Sequence, residues 1–168
     1  LTHSELPDVD AIELFNPNAV TVNIGGWFLT DDPARPRKFR IPDGTGIVAG
    51  GYIVFTEASF NSFTDTNSFA LGSSGEAVYL FSSDAGGNLT GYSHGFIFGG
   101  APFGVTFGRH VISTGDEHFV AQTARTLNTS NTGPRVGPVV IKQIMYHPTD
   151  LPGAVDNTAD EYIELANI

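Results

Sequence analysis

The sequence predicts an all-β protein, a sandwich or barrel of about ten to twelve short strands. Its 168 residues include 13 Phe, 5 Tyr, 20 Gly and 10 Pro, a composition that favours short strands joined by tight turns. Apolar and polar residues alternate with a period of two along many segments, as in strands with one buried face. No segment longer than about ten residues has the apolar spacing of an amphipathic helix. Two packed sheets would bury the alternating apolar faces in one core.

The first half of the chain alternates between predicted strands and turns. The first strand ends at the turn sequence Asn-Pro-Asn (16–18). In the second strand, Val20, Val22 and Ile24 are expected on one face. A Gly-Gly pair then permits a bulge before Trp27, which we expect to anchor the core. The predicted strands of this half are residues 11–15, 20–24, 27–29, 39–41 and 52–55.

The second half continues the same pattern. Residues 57–68 are predicted to be a polar loop with one helical turn. The strand at 77–81 is apolar on both faces, which is typical of a central strand, and a hairpin loop follows at 84–88. Gly-Pro breakers in the loop 126–138 resemble a module boundary. The other predicted strands are residues 68–71, 89–98, 104–111, 117–122, 138–148 and 160–165.

Charge and cysteine content exclude several classes of function. With 8 basic and 18 acidic residues, the net charge is −10, which argues against a nucleic-acid backbone as the main partner. Half of the basic residues lie in RPRKFR (35–40), which we interpret as a charged, solvated strand edge rather than an anion-binding patch. The absence of Cys excludes disulfides, Cys-based zinc sites and thiol catalysis. No long apolar run predicts a membrane span.

The two ends of the chain contain an ordered repeat. The matched positions are His3 with His147, Leu6-Pro7 with Leu151-Pro152, Ile12-Glu13-Leu14 with Ile163-Glu164-Leu165, and Asn16 with Asn167. A tripeptide match alone is common by chance, whereas several matches in one order indicate tandem modules with a period of about 150 residues.

The first copy is similar to the lamin tail domain family, found in nuclear lamins and many bacterial secreted proteins. Residues 11–16 (AIELFN) resemble the family's E-Y-I-E-L-x-N, and residues 26–31 (GWFLTD) resemble its G-W-x-L-x-D. Residues 39–55 resemble the next family segment, where Gly-Gly precedes a central strand. Residues 139–148 (VVIKQIMYHP) and 160–165 (DEYIEL) resemble the first two strands of a second module, and Gln143 stands where the family's opening strand usually has Glu. The resemblance covers about residues 1–125 and implies an immunoglobulin-like β-sandwich of two antiparallel sheets.

The repeat also predicts how the chain divides. Residues 1–136 are expected to form a lamin-tail-like β-sandwich without most of its opening strand, because the matching part of the second copy begins at Val139. Residues 137–168 are expected to be the first strands of a following module. We hypothesise that residues 139–146 complete the sheet of 1–136, within the chain or between chains in a strand-swapped homo-oligomer. The alternative is a frayed or independent C-terminal tail.

Histidines and acidic loops supply the candidate metal ligands. The histidines His3, His94, His110, His118 and His147 show no HxH or HExxH spacing, so a zinc site requires that the strands carrying them adjoin. Calcium would need converging oxygens, and no segment matches DxDxDG. The calcium candidates are Asp8 and Asp10, Asp31 and Asp32, Asp84 with Asn88, and Asp156, Asp160 and Glu161. Turn and cap roles explain most of these acidic residues, and no other cofactor is expected.

No catalytic motif is convincing. Residues 113–118 (STGDEH) contain Ser, Asp and His, but they lack G-x-S-x-G, and adjacency does not make a triad. The glycine-rich segment 98–104 lacks the strand and helix of a phosphate-binding loop. The aromatic residues of the expected loops at 92–104 either pack in the core or stack on a sugar or a partner. They are Tyr92, Phe96, Phe98 and Phe103.

The resemblance implies a non-catalytic structural or interaction module of a large multidomain exported bacterial protein, secreted or at the cell surface. Its expected partners are neighbouring domains or other proteins. An alternative is a carbohydrate- or calcium-dependent ligand-binding module that targets an attached secreted enzyme. A third hypothesis is an enzyme in its own right.

Overall fold

The computed structural model describes residues 9–62, 66–100 and 102–168. The chain divides into two compact units, Leu1–Pro134 (unit 1) and Arg135–Ile168 (unit 2). The strands and helix of unit 1 are β1 (Ala11–Phe15), β2 (Val22–Asn23), β3 (Phe28–Thr30), β4 (Phe39–Arg40), β5 (Gly46–Ile47), β6 (Tyr52–Thr56), α1 (Glu57–Phe60), β7 (Gly75–Ser83), β8 (Leu89–Gly99), β9 (Phe107–Val111) and β10 (Glu117–Ala121). Those of unit 2 are β11 (Val139–Met145), a 3₁₀ turn (Thr158–Asp160) and β12 (Tyr162–Asn167).

Unit 1 is built from antiparallel sheets around one apolar core, which confirms the all-β class. Its four-stranded sheet has the order β4-β3-β7-β8, so the apolar strand β7 is central, as its sequence predicts. A second sheet pairs β1 with β6. Ile12 of β1 and Phe55 of β6 join Leu29 of β3 in the same buried cluster, so the two sheets enclose a common core. The buried cluster consists of Ile12, Ile24, Leu29, Ile41, Ile47, Phe55, Phe60, Phe69 and Leu71.

The Asn-Pro-Asn turn after β1 is held by the buried side chain of Asn16. Its Nδ2 donates to the carbonyl oxygens of Val20, Ile47 and Val48 at 2.8, 2.9 and 3.1 Å. Its Oδ1 accepts from the backbone N–H of Asn18 at 3.0 Å. One buried side chain therefore bonds to the backbone of four residues in the segments that follow β1, which fixes where β1 ends.

Two predicted strands differ from the structure. Residues 20–24 do not share one face: only Val22–Asn23 is a strand, Val20 is 66% exposed and Ile24 is 3% exposed. The bond from Asn16 to the Val20 carbonyl draws this segment out of the ladder.

The strand predicted at 68–71 is absent from the described residues. Phe69 is nevertheless buried, because it stacks on Phe60 of α1 with ring centroids 4.9 Å apart and donates its N–H to the Phe60 carbonyl. Hydrophobic burial here occurs without a strand. The helical turn expected in this region is confirmed as α1. Trp27, expected in the core, is only partly buried and lies at its margin, with its ring 5.8 Å from that of Tyr92.

Unit 2 contains an antiparallel pair formed by β11 and β12. Ile141 lies opposite Leu165 and Ile144 lies opposite Ile163, with an irregularity between Ile141 and Gln143. These four apolar side chains are 56–62% exposed. The pair therefore presents an apolar surface that unit 2 does not bury.

None of the described residues belongs to a helix long and apolar enough to span a membrane.

Candidate functional site

The open edge of β1, defined by Glu13 and Phe15, is the structural feature on which a site can be built. β1 pairs with β6 only along one side, with Ile12 opposite Phe55 and Leu14 opposite Ile53. Two bonds flank the ladder, from Glu57 N to the Asp10 carbonyl and from Asn16 N to the Gly51 carbonyl. They show that the even-numbered residues of β1 are the ones that bond to β6. In an antiparallel ladder every second residue points its N–H and C=O away from the partner strand. Within the described residues, the N–H and C=O of Glu13 and Phe15 therefore point away from β6 and bond to no other strand.

A cavity of about 550 Å³, here called the β1 cleft, lies beside this edge. One wall is β1 itself, and the others come from β7, β8, β9, β10 and the loop 126–131. Its lining is mainly apolar and includes Leu14, Leu80, Phe96, Phe107, Phe119 and Leu127. A cleft with apolar walls beside unpaired backbone groups can accept an extended chain, because a strand satisfies the backbone while its alternate side chains enter the cleft.

An aromatic cluster forms the far side of the cleft. Phe96 of β8 stacks on Phe119 of β10 with centroids 4.8 Å apart, and Phe98 lies 5.4 Å from Phe107. Tyr92, Phe96 and Phe98 thus belong to strand β8, which agrees with the strand predicted at 89–98, and the expectation of loops at 92–104 is wrong for these three residues. Phe98 is buried, whereas Tyr92 and Phe103 are 53% and 56% exposed. Core packing therefore accounts for Phe98 but not for the two exposed rings.

Three ionisable side chains form a polar rim to the cleft. Arg109 Nε donates to Glu117 Oε1 at 2.8 Å, and His94 Nε2 lies 3.2 Å from Glu117 Oε2. The hydrogen bonds from Arg109 and then from His94 lower the pKa of Glu117 to about 2. Glu117 therefore stays ionised and committed to its neighbours at neutral pH, which is unlike a general acid or base.

The loop 126–131 is held against β1 by polar contacts. The N–H of Asn128 donates to Glu13 Oε2 at 2.5 Å, and Ser130 Oγ lies 3.5 Å from Tyr52 Oη. Burial raises the pKa of Glu13, and the bond from Asn128 opposes that shift in part. Asn131 Nδ2 donates to the Arg109 carbonyl at 3.0 Å, which joins the loop to β9.

The structure brings some of the predicted metal candidates together. His110 and His118 lie directly opposite each other on β9 and β10, and His94 is committed to Glu117. Among the described residues, the group of three side chains able to share an ion is His147, Asp150 and Asp156, whose ligand atoms lie within 4.8 Å of one another. All three are exposed. Asp150 was missed by sequence reasoning, although its spacing of three residues from His147 is a readable signal.

Four other calcium candidates, Asp31, Asp32, Asp84 and Asp160, have local partners. Asp31 pairs with Lys38, and Asp32 Oδ1 accepts from the N–H of Ala34 at 2.9 Å. Asp84 Oδ1 accepts from Asn88 N at 2.9 Å, and the bonds from Asn88 lower the pKa of Asp84. Asp160 accepts from Asn157 Nδ2 at 2.7 Å. These contacts are those of turns and caps, and calcium binding stays a prediction.

Two other candidates need separate mention. Asp8 and His3 lie outside the described residues. In the segment 113–118, Thr114 Oγ1 donates to Asp116 at 2.7 Å while Glu117 is bound to Arg109. The acidic residues of that segment are therefore engaged with partners other than a serine nucleophile.

The comparison with family models matches residues 2–96 to the Lamin Tail Domain, which is more than half of the 168-residue chain. The comparisons with curated proteins and with solved structures gave no match.

Proposed function

Because the chain belongs to the lamin tail domain family, a family of non-enzymatic immunoglobulin-like domains, we propose that it serves as an interaction module that binds partners by strand addition at β1. The observation that carries this proposal is the open edge of β1 beside an apolar cleft. Main-chain bonds along such an edge supply affinity, and side chains that enter the cleft supply selectivity.

A pair of proline substitutions tests strand addition. Phe15→Pro removes an N–H from the open edge of β1 without touching the bonds that Leu14 makes to β6. Val54→Pro is the matched control, because Val54 lies opposite Glu13, its N–H points away from β1 and it does not line the β1 cleft. The probe is a displayed library of random peptides selected against the full chain. We expect selected peptides to bind the wild type and Val54→Pro but not Phe15→Pro. Equal binding to both variants would overturn the proposal.

We place the module in a large exported bacterial protein, secreted or at the cell surface, where it joins neighbouring domains or other proteins. The support is the resemblance of residues 11–16 and 26–31 to a family with many bacterial secreted members. Cell fractionation with an antibody against this chain tests the location, and a cytosolic signal alone would contradict it.

A ligand-binding module is the second candidate, because Tyr92 is exposed beside Trp27 at the margin of unit 1. Adjacent aromatic rings of this kind can stack on a sugar. Glycan-array binding that Tyr92→Ala abolishes would support this candidate. For its calcium-dependent form, a rise in melting temperature with calcium that Asp156→Asn removes would be the supporting result.

A further inference from the structure

Unit 2 contains a strand pair that matches β1 in sequence. Ile163-Glu164-Leu165 of β12 is the repeat of Ile12-Glu13-Leu14 of β1, and Asn167 repeats Asn16. β12 is paired with β11, whose sequence is VVIKQIM. The β11–β12 pair therefore shows how a strand of that sequence lies beside a copy of β1.

The residues of β12 that bond to β11 can be identified from the end of the ladder. Ile168 donates its N–H to the Pro138 carbonyl at 3.0 Å, so positions two and four residues before Ile168 also face β11. These are Ala166, opposite Val140, and Glu164, opposite Gln143.

The same edge is the open one in β1. Through the repeat, Glu164 corresponds to Glu13 and Ala166 corresponds to Phe15. Glu13 and Phe15 are two residues whose backbone groups point away from β6. The edge of β12 that pairs with β11 therefore corresponds, through the repeat, to the unpaired edge of β1 beside the β1 cleft.

From this correspondence we infer that the open edge of β1 binds strand β11 of a second copy of this chain, antiparallel and in the register that β11 has on β12. In that register Leu14 lies opposite Ile141, Ile12 lies opposite Ile144 and Glu13 lies opposite Gln143. The inference rests on the proposed function and names its partner.

Burial favours the exchange of β11 from β12 to β1. In unit 2, Val139, Ile141 and Ile144 of β11 are 54%, 62% and 56% exposed, and an isolated two-stranded pair is marginally stable at best. On β1 the same ladder bonds form, while Ile141 and Ile144 share a face with the core residues Ile12 and Leu14. The gain is the transfer of these side chains from water into an apolar cleft.

The loop 126–131 favours a second copy as the donor. This loop forms one wall of the cleft and is bound to Glu13 through Asn128. It ends seven residues before β11, so a β11 from the same copy would have to turn back onto the edge of β1 within residues 132–138. A strand from another copy has no such constraint, and reciprocal exchange of strands is a low-cost route to dimers.

Disulfide trapping tests the inference cleanly, because the chain contains no Cys. Full-length Glu13→Cys and Gln143→Cys variants are mixed and mildly oxidised. In the inferred register the two Cα atoms lie about 5.5 Å apart, within the range that a disulfide spans. We expect a mixed disulfide dimer several-fold more abundant than that from Glu13→Cys mixed with Asp116→Cys, a position on an exposed turn. The yield should rise with protein concentration and require native protein, as followed by Trp27 fluorescence.

A second variant keeps the outcome clear. A chain carrying Gln143→Cys and Glu164→Cys traps the β11–β12 pair of the structure, and this trap should reduce formation of non-covalent dimers measured by light scattering. A mixed-disulfide yield no higher than that of the Asp116→Cys control would overturn the inference. So would a disulfide that forms only within chains carrying both Glu13→Cys and Gln143→Cys. If disulfide trapping fails while selected peptides still bind wild type but not Phe15→Pro, β11 of a second copy is ruled out as the partner and the proposed function stands.

Discussion

β1 of unit 1 and β12 of unit 2 carry the same Ile-Glu-Leu tripeptide in different surroundings. Ile12 is 8% exposed in the core of unit 1, whereas Ile163 is 62% exposed. Glu13 accepts a bond from the backbone of Asn128, whereas Glu164 pairs with Lys142 at 2.8 Å. β1 has a core but an open edge, and β12 has a paired edge but no core within unit 2. The alternation of apolar and polar residues in a strand thus specifies which face is to be buried. The packing of the rest of the module decides whether that face is buried.

The largest expected difference between the two strands comes from truncating the repeated isoleucine. Ile12→Ala leaves a cavity in the core of unit 1 and should cost about 2–5 kcal/mol of unfolding free energy. Ile163→Ala removes an exposed side chain and should cost no more than about 0.5 kcal/mol. Denaturant unfolding followed by Trp27, the single Trp of the chain, measures the stability of unit 1. Equal losses of unfolding free energy in the two variants would contradict the difference in burial between Ile12 and Ile163.

The repeated asparagine should show the next largest difference. Asn16→Ala leaves the carbonyl oxygens of Val20, Ile47 and Val48 without their side-chain donor and should cost about 1–3 kcal/mol. Asn167→Ala should have little effect, because the described part of the chain gives its exposed side chain no hydrogen bond. Thermal unfolding of both variants measures the difference, and a neutral Asn16→Ala would contradict the role of Asn16 in ending β1.

Glu117, on the rim of the β1 cleft, makes the stability of unit 1 depend on pH. The pKa of Glu117 is lowered from 4.5 to about 2 in the folded chain. A carboxyl with a lowered pKa stabilises the fold above its unfolded value, and this stabilisation is lost as the pH falls through the folded value. Wild type should therefore exceed Glu117→Gln in melting temperature at neutral pH by a small amount, because the pair is partly exposed. The gap should close as the pH falls from about 4.5 to about 2. A gap that does not change over this range would show that Glu117 is not the titrating group.

The smallest expected effect concerns the repeated glutamate. Burial raises the pKa of Glu13, so its charge disfavours the folded state at neutral pH. Glu13→Gln should raise the melting temperature of unit 1 slightly at neutral pH. This gain should disappear below about pH 4.5, where Glu13 is protonated in both states. Glu164→Gln is the control and should leave the Trp27 transition unchanged. A loss of stability in Glu13→Gln would instead indicate that the bond from Asn128 outweighs the cost of burial.

Much of the fold is readable from local sequence, because strands and tight turns have local signatures. The central position of β7, the hairpin at 84–88 and the helical turn before Phe60 are of this kind. The strand predicted at 68–71 failed because Phe69 is buried by stacking on Phe60 instead of by pairing. A buried position favours an apolar residue both in a paired strand and in a stacked contact, so the sequence pattern does not distinguish the two.

The site is readable only in part. The repeat directs attention to the edge of β1, because it supplies a second copy of the strand for comparison. The rim of Arg109, Glu117 and His94 could not be predicted, since it depends on the register between β9 and β10 and on the approach of β8. Such contacts join residues far apart in sequence and have no local signature. The filling of the edge by residues 139–146 stays a prediction.

Amide hydrogen exchange of β1, resolved by residue and measured over a range of protein concentrations, tests the open edge most directly. We predict that the amides of Ile12 and Leu14, which face β6, are protected at every concentration. The amides of Glu13 and Phe15 should exchange rapidly in dilute protein and become protected as the concentration rises and β11 of a second copy binds. Protection of Glu13 and Phe15 in dilute protein, or exchange that does not depend on concentration, would contradict the account.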